Sequence, residues 1–126
     1  MNAVLHDGST ALIWACGKGH LEITRLLLER NANVNAARTD DGCTALHLAS
    51  LHGDLEIARL LINWGANVNA ACIDDGRTAL MYASTKGHSA LVHLLLSAGS
   101  TKELFSNSGE TALTLASSLE IIQALQ

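Results

Sequence analysis

Apolar residues recur in three similar blocks along the chain. Each block has five apolar positions at the spacing of one broad helical stripe, and charged residues such as Glu22, Arg25, Glu56 and Arg59 lie outside it. The three blocks are Leu21, Ile23, Leu26, Leu27 and Leu28; Leu55, Ile57, Leu60, Leu61 and Ile62; and Leu91, Val92, Leu94, Leu95 and Leu96. This pattern predicts amphipathic helices over about 20–30, 54–64 and 88–98.

A shorter apolar segment precedes each block and begins with the triplet Thr-Ala-Leu. The threonines Thr10, Thr44, Thr78 and Thr111 are expected to be N-caps, because a hydroxyl there accepts a hydrogen bond from a free helix amide. The segments predict short helices over about 10–16, 44–51 and 78–85. Glycine then ends each one, since glycine adopts the left-handed backbone of a helix terminus without steric cost.

The spacing of the preceding turns shows how these helix pairs are arranged. Gly8, Gly42, Gly76 and Gly109 are 34, 34 and 33 residues apart, and a fixed period of this length is typical of a stacked repeat array. Extended segments lead into each internal Asp-Gly turn and predict a projecting hairpin loop, which we call a finger. Each leucine left in water would forgo roughly 1.5–3 kcal/mol, so neighbouring pairs must cover each other's apolar stripes. The equivalent leucines Leu27, Leu61 and Leu95 are therefore expected to form one buried column.

Size and charge narrow the possible partners. With 126 residues, a single domain is expected. The net charge is −4 without any basic run, which argues against nucleic acid or an anionic membrane as the main partner. No apolar stretch approaches the roughly 20 residues of a membrane helix, and the N-terminus lacks the features of a secretory signal. We therefore expect an intracellular protein, in the cytoplasm or alternatively in the nucleus. No cofactor is expected.

The three cysteines, Cys16, Cys43 and Cys72, do not occupy matching repeat positions. They form no CxxC pair, so free thiols in a reducing compartment are expected instead of a disulfide framework. The six histidines are scattered over different repeats without the short spacings of structural zinc sites, and no metal site is predicted.

Three segments of the second unit together resemble the ankyrin repeat. They are Thr-Ala-Leu-His-Leu-Ala at 44–49, Gly-Asp-Leu-Glu-Ile at 53–57 and Gly-Ala-Asn-Val-Asn-Ala at 65–70, and the resemblance covers essentially the whole chain. It implies a mainly α solenoid of stacked helix-turn-helix units with projecting fingers. It also implies one domain over 1–126, with repeats at about 2–35, 36–69, 70–102 and 103–126, the last a shortened C-terminal cap. The family's proline after the capping threonine is alanine here, which costs some preorganisation of the first turn.

The resemblance implies that a partner binds on a concave surface formed by the fingertips and the first helices. Variable residues in these places are the best candidates for partner binding, and the first finger adds Leu5 and His6. The predicted set is Arg38, Thr39, Asp40, Cys43, Leu51, His52, Cys72, Ile73, Asp74, Arg77, Thr85, Lys86 and Phe105. Leu51, Ile73 and Phe105 are apolar where the scaffold does not require it, and apolar anchors near arginine are common in binding hot spots. The alternative is that they are isolated surface residues without a role.

No sequence motif points to an enzyme. The chain has no glycine-rich phosphate loop, HExxH, GxSxG or triad-like set, and His47 is expected to link one repeat to the next. Asn35 and Asn69 lie where some ankyrin repeats are hydroxylated, but the acid usual two residues earlier is replaced by Asn33 and Asn67. The sequence predicts a non-catalytic module that binds a protein or peptide. The alternative is a regulatory or targeting segment excised from a larger enzyme, channel or effector protein.

The first repeat does not have the polar outer face of a terminal cap. Trp14 and Leu21 are apolar at positions that should face a preceding neighbour. Either the chain is part of a longer array or another chain covers this face. A monomer is expected, with association through the Trp14/Leu21 face as the alternative. Trp14 also shares a repeat slot with Leu48, Tyr82 and Leu115, which predicts a core-filling role.

Overall fold

The protein was analysed in a computed structural model, which describes residues 9–126 and side chains from Ala11 onward. Leu5, His6 and the Asp7-Gly8 turn of the first finger lie outside the described residues. The described chain is helical, without named strands. Its helices are α1 (Ser9–Lys18), α2 (Leu21–Glu29), α3 (Ala45–His52), α4 (Leu55–Asn63), α5 (Ala79–Lys86), α6 (Ser89–Ser97), α7 (Ala112–Leu115) and α8 (Leu119–Leu125). These bounds confirm the predicted sequence of helix pairs.

The helices stack in two rows. The first helices α1, α3, α5 and α7 pack in order, as do the second helices α2, α4, α6 and α8. Ala15, Ala49 and Ala83 are fully buried in the first row, where a small side chain allows close approach of the backbones. Leu61 and Leu95 are also fully buried, whereas Leu27 in the first layer is only partly buried. The core is thus a repeated layer, and it is less complete at its first member.

Side chains and left-handed residues define the helix ends as expected, with one exception. The Thr78 and Thr111 hydroxyls accept hydrogen bonds from the amides of Met81 and Thr114, and Thr44 is the N-cap of α3. Asn31 has a φ of 71° after α2, as the αL tolerance of asparagine allows. The prediction was wrong for Thr10, because α1 begins at Ser9 and the helical backbone starts two residues earlier than in the second and third copies.

Two fingers are closed by isolated antiparallel bridges. Ala37 pairs with Thr44 in finger 2 (residues 36–44), and Ala71 pairs with Thr78 in finger 3 (residues 70–78). Backbone hydrogen bonds connect successive fingers: the Ile73 amide donates to the Asp41 carbonyl at 2.8 Å. The Asn107 amide of finger 4 (residues 103–111) donates to the Asp75 carbonyl at 2.9 Å. Fingers 2, 3 and 4 therefore form one continuous ridge beside the helices.

The fourth unit is a shortened layer, as predicted. Its first helix, α7, has only 4 residues, and Ser118 caps α8 through the Ile121 amide. Leu113 is 40% exposed, whereas the equivalent Leu46 and Leu80 are 2% and 1% exposed beneath a following layer. Among the described helices, none combines the length and the apolar character that crossing a membrane requires.

Candidate functional site

Large apolar side chains are exposed on two fingers. Ile73 in finger 3 is 79% exposed and Phe105 in finger 4 is 69% exposed. Thr39, Asp40 and Asp74 are also exposed on the fingers. The structure thus places these five predicted partner-binding residues on the accessible side of the ridge.

The two arginines of the predicted site are both held in ion pairs. Arg38 contacts Asp41 through Nη2 to Oδ2 and through Nε to Oδ1, the latter at 3.2 Å. These charge-assisted hydrogen bonds lower the pKa of Asp41 and raise that of Arg38. The Asp41 carboxylate also accepts the Cys43 amide at 3.0 Å, so Arg38 reinforces the turn of its own finger.

Arg77 connects two fingers. Its Nη2 donates to the Glu110 Oε1 at 3.1 Å and lies 3.3 Å from Oε2. The same carboxylate accepts a hydrogen bond from the Ser106 hydroxyl at 3.0 Å. Glu110 therefore joins finger 3 to finger 4, and Arg77 is a linking residue whose side chain is only partly exposed.

Cys43 and Cys72 form a disulfide between fingers 2 and 3, so the expectation of free thiols was wrong for this pair. Their residues are 5% and 1% exposed, and neither offers a surface to a partner although both were predicted to. The pairing was missed because the two cysteines occupy different repeat positions, and only the stacking of the fingers brings them together. Cys16 is free and buried, and burial raises the pKa of its thiol to about 11.

A groove of about 550 Å³ lies between the first helices and finger 2. It brings together four predicted residues: Arg38, Thr39, Asp40 and His52. It also contains residues that were not in the predicted set: Ile13, Trp14, Gly17, Lys18, Ala37 and Leu48. The other predicted residues of the first helices, Leu51, Thr85 and Lys86, do not line it.

Trp14 is the residue of this groove whose exposure differs from the prediction. It is 53% exposed, so the prediction of a core-filling role was wrong, while Leu48 in the same repeat slot is 8% exposed. Trp14 lies in the outermost described layer, where its ring is 5.3 Å from that of His20. The sequence showed that Trp14 and Leu48 share a repeat position. It did not show the exposure of Trp14, because that exposure depends on what lies beside the first repeat.

His47 links two repeats, as expected. Its Nδ1 accepts the Thr44 amide at 2.9 Å, which leaves the proton on Nε2 to be donated to the Ala70 carbonyl at 2.9 Å. Burial lowers the pKa of this imidazole. Both ring nitrogens are occupied by backbone groups, so the arrangement is structural and not that of a general acid or base.

One cluster in the described part of the chain has the composition of a metal site. The possible ligand atoms of Cys43, His47 and Cys72 lie within 4.8 Å of one another. In the structure, however, the two sulfurs are bonded to each other and both His47 nitrogens are hydrogen-bonded. This cluster therefore has no ligand atom free for a metal ion in its present form.

Comparison with known proteins agrees with the stacked helix pairs. A family model described as ankyrin repeats, in three copies, matches residues 1–72 and 70–126. This chain belongs to the ankyrin-repeat family. Such repeats are generally protein–protein interaction modules and the family is typically non-catalytic.

A curated relative shares one ankyrin-repeat length of sequence with the chain. The acyl-CoA-binding domain-containing protein 6 homolog of Dictyostelium discoideum is 56% identical over 34 residues. The match covers 27% of this chain and 12% of that protein, so the similarity shown is confined to a segment about one repeat long.

The asparagines that directly precede fingers 2 and 3 also have structural partners. The Asn35 side chain accepts the Asn67 amide at 2.7 Å and donates to the Gly65 carbonyl at 3.2 Å. Asn69 repeats this arrangement one layer later, accepting the Thr101 amide at 2.7 Å. Each side chain thus ties its repeat to the next one.

Proposed function

We propose that this ankyrin-repeat chain is a non-catalytic module that binds a protein or peptide across its fingertips and the adjoining groove, on the concave face. The observation that carries the proposal is the exposure of Ile73 and Phe105, at 79% and 69%. Neither side chain belongs to the hydrophobic core, so folding does not explain them. Exposed apolar side chains rimmed by polar residues are a common feature of protein-binding surfaces, where they become buried anchors in the complex.

The groove supports this proposal through its chemistry. Its apolar wall contains Ile13, Trp14 and Leu48, and its polar rim includes Lys18 and Asp40. Because Trp14 is a large and largely exposed aromatic, it offers an anchoring contact of the kind enriched in interfaces. An extended peptide or loop with an apolar side chain fits such a groove, with the rim available to its polar groups.

The test is capture of binding partners with matched surface variants. Ile73→Ser and Phe105→Ser in one chain should reduce recovery of partner proteins from a lysate of the source organism. Trp64→Ser is the control, because Trp64 is an exposed apolar residue at the end of α4, outside the groove and the fingers. Equal recovery by all three proteins, each with wild-type thermal stability, would count against the fingertip site.

A second candidate is a regulatory or targeting segment of a larger enzyme, channel or effector protein. The first repeat favours it: Ile23 is 43% exposed, whereas the equivalent Ile57 and Leu91 are 0% and 1% exposed beneath a preceding layer. An upstream reading frame encoding further repeats would support this function. A gene that encodes the chain alone would leave the independent binding module as the simpler conclusion.

A further inference from the structure

The disulfide occupies a position that the repeat geometry makes recognisable. Cys43 pairs through its backbone with Arg38 in finger 2, and Cys72 pairs with Arg77 in finger 3, with N···O distances of 2.9 Å. Positions 38 and 72 are equivalent, as are 43 and 77. The disulfide thus runs diagonally from the returning arm of one finger to the outgoing arm of the next.

The next pair of fingers has a different link at the equivalent place. One period beyond Cys43 and Cys72 stand Arg77 and Ser106, and the Glu110 carboxylate accepts hydrogen bonds from both. Each of the two described contacts, between fingers 2 and 3 and between fingers 3 and 4, therefore contains a specific link, one covalent and one ionic. Cys43 and Cys72 occupy different positions of the repeat, so no single requirement of the scaffold explains both. What they share is the contact between fingers 2 and 3.

We propose that Cys43 and Cys72 are a reversible redox-modification site that controls how firmly finger 3 is held against finger 2. Because Cys43 and Cys72 are 5% and 1% exposed, reduction requires local opening of the fingers. The thiolate of a small thiol such as glutathione then attacks one sulfur, forming a mixed disulfide and releasing the other cysteine as a thiolate that takes up a proton. A second thiol attacks the mixed disulfide, frees the first cysteine and leaves as oxidised small-molecule disulfide. The small thiol supplies both electrons, and its oxidised form drives the reverse reaction.

Other contacts keep the fingers together after reduction. The Ile73 amide remains bonded to the Asp41 carbonyl at 2.8 Å, and His47 still bonds the Ala70 carbonyl. Reduction should thus loosen the ridge without unfolding the array. Ile73 directly follows Cys72, so the change reaches an exposed fingertip residue. Its effect on a partner rests on the proposed function, but the redox chemistry does not.

Cys16 provides an internal reference. It is fully buried in α1 and its sulfur lies 3.7 Å from the Thr24 hydroxyl, away from the finger contact. Because the Cys16 thiol is protonated, it does not attack the disulfide between Cys43 and Cys72. After denaturation in acid and alkylation, the oxidised protein should carry one label and the reduced protein three, since the chain has 3 cysteines.

The experiment is an equilibration of the full chain in buffers of varied glutathione to glutathione-disulfide ratio, followed by label counting. We expect a transition between one and three labels, and between zero and two in Cys16→Ala. The oxidised protein should unfold at a temperature about 10 °C higher than the reduced protein. Cys43→Ala and Cys72→Ala should show no such redox-dependent difference.

Limited trypsin digestion tests the fingers directly. Cleavage after Arg38 and Arg77 should be at least about fivefold slower in the oxidised protein, because finger opening is suppressed. Cleavage after Arg25 and Arg59, within α2 and α4, reports opening of the helices and should change less. Three labels at every ratio, one label at every ratio, or equal finger cleavage in both forms would overturn the proposal. None of these readouts involves a partner, so failure here is distinct from failure of the proposed function.

Discussion

Removal of the His47 side chain should be among the most damaging single changes to this array. The imidazole is 2% exposed and holds the Thr44 amide and the Ala70 carbonyl, each at 2.9 Å. Loss of a partner costs about 1–3 kcal/mol for a buried polar group, and the vacated space adds to this. His47→Ala should therefore lower the free energy of unfolding by about 3–5 kcal/mol, against a typical total of about 5–15 kcal/mol.

The same residue should make stability depend on pH. Burial holds the folded pKa of His47 below its ordinary value of 6.5, although the nearby carboxylates of Asp75 and Asp41 oppose this. Below pH 6.5 the unfolded chain binds a proton that the folded chain does not, so stability is full above that pH and falls as the pH drops toward the folded pKa. The slope for one such group approaches about 1.4 kcal/mol per pH unit. Protonation also removes the lone pair that accepts the Thr44 amide.

Urea unfolding at several pH values, followed by circular dichroism, measures both effects. His47→Gln is the matched control, because glutamine at the third helical position can accept the cap amide but does not titrate. The difference between wild type and His47→Gln should shrink as the pH is lowered from 8 to about 5. A difference that stays constant or grows on acidification would refute the claim that a neutral, buried imidazole links these repeats.

Three further predictions concern single positions and are measured by urea unfolding. Ile57→Ala should cost about 3–4 kcal/mol because Ile57 is fully buried, whereas Ile23→Ala should cost less than half as much; equal costs would show that the face of the first repeat is covered. Gly76→Ala should destabilise more than Gly65→Ala, because both have positive φ but only the former places Cβ 2.7 Å from a backbone atom, the Asn107 nitrogen. Under oxidising conditions, Cys43→Ala should cost about 3–4 kcal/mol in unfolded-chain entropy, since the disulfide closes a loop over a separation of 29 residues; an unchanged midpoint would contradict this.

Most of the fold could be predicted because the same pattern of apolar residues and helix ends recurs in successive repeats. The apolar stripe of α4 must be buried against neighbouring helices, and α2 and α6 carry the same stripe at a fixed spacing along the sequence. Local signals agreed with this pattern: Thr78 caps α5, and Asn31 adopts the left-handed backbone after α2. Helix existence and order were therefore strongly determined, and the one error in a cap, at Thr10, concerned a helix boundary.

The candidate site was less predictable, because it depends on what lies beside a residue. Trp14 and Leu48 occupy the same slot, yet one is 53% exposed and the other 8%. The two residues occupy the same repeat position, but only the repeat of Leu48 has a described layer packed on both sides. Likewise, Arg38 and Arg77 look like free surface cations in the sequence, and each is paired with a carboxylate in the structure. Burial and pairing at the ends and edges of an array are properties of neighbours and not of the repeat pattern.

The disulfide shows that some of these neighbours can nevertheless be found from a repeat sequence. Comparison of equivalent positions, 34 residues apart, identifies what the scaffold needs, and Cys43 and Cys72 do not match in that comparison. Cys43 and Cys72 lie 29 residues apart, and the stacking of the fingers brings them together. Ile73 and Asp41, which are 32 residues apart, bond across the same two fingers, and Arg77 bonds Glu110, 33 residues further along the chain. In a stacked array, links between layers therefore join residues at several offsets near the repeat length, and complementary residue types in neighbouring fingers indicate them even when the repeat alignment shows only variation.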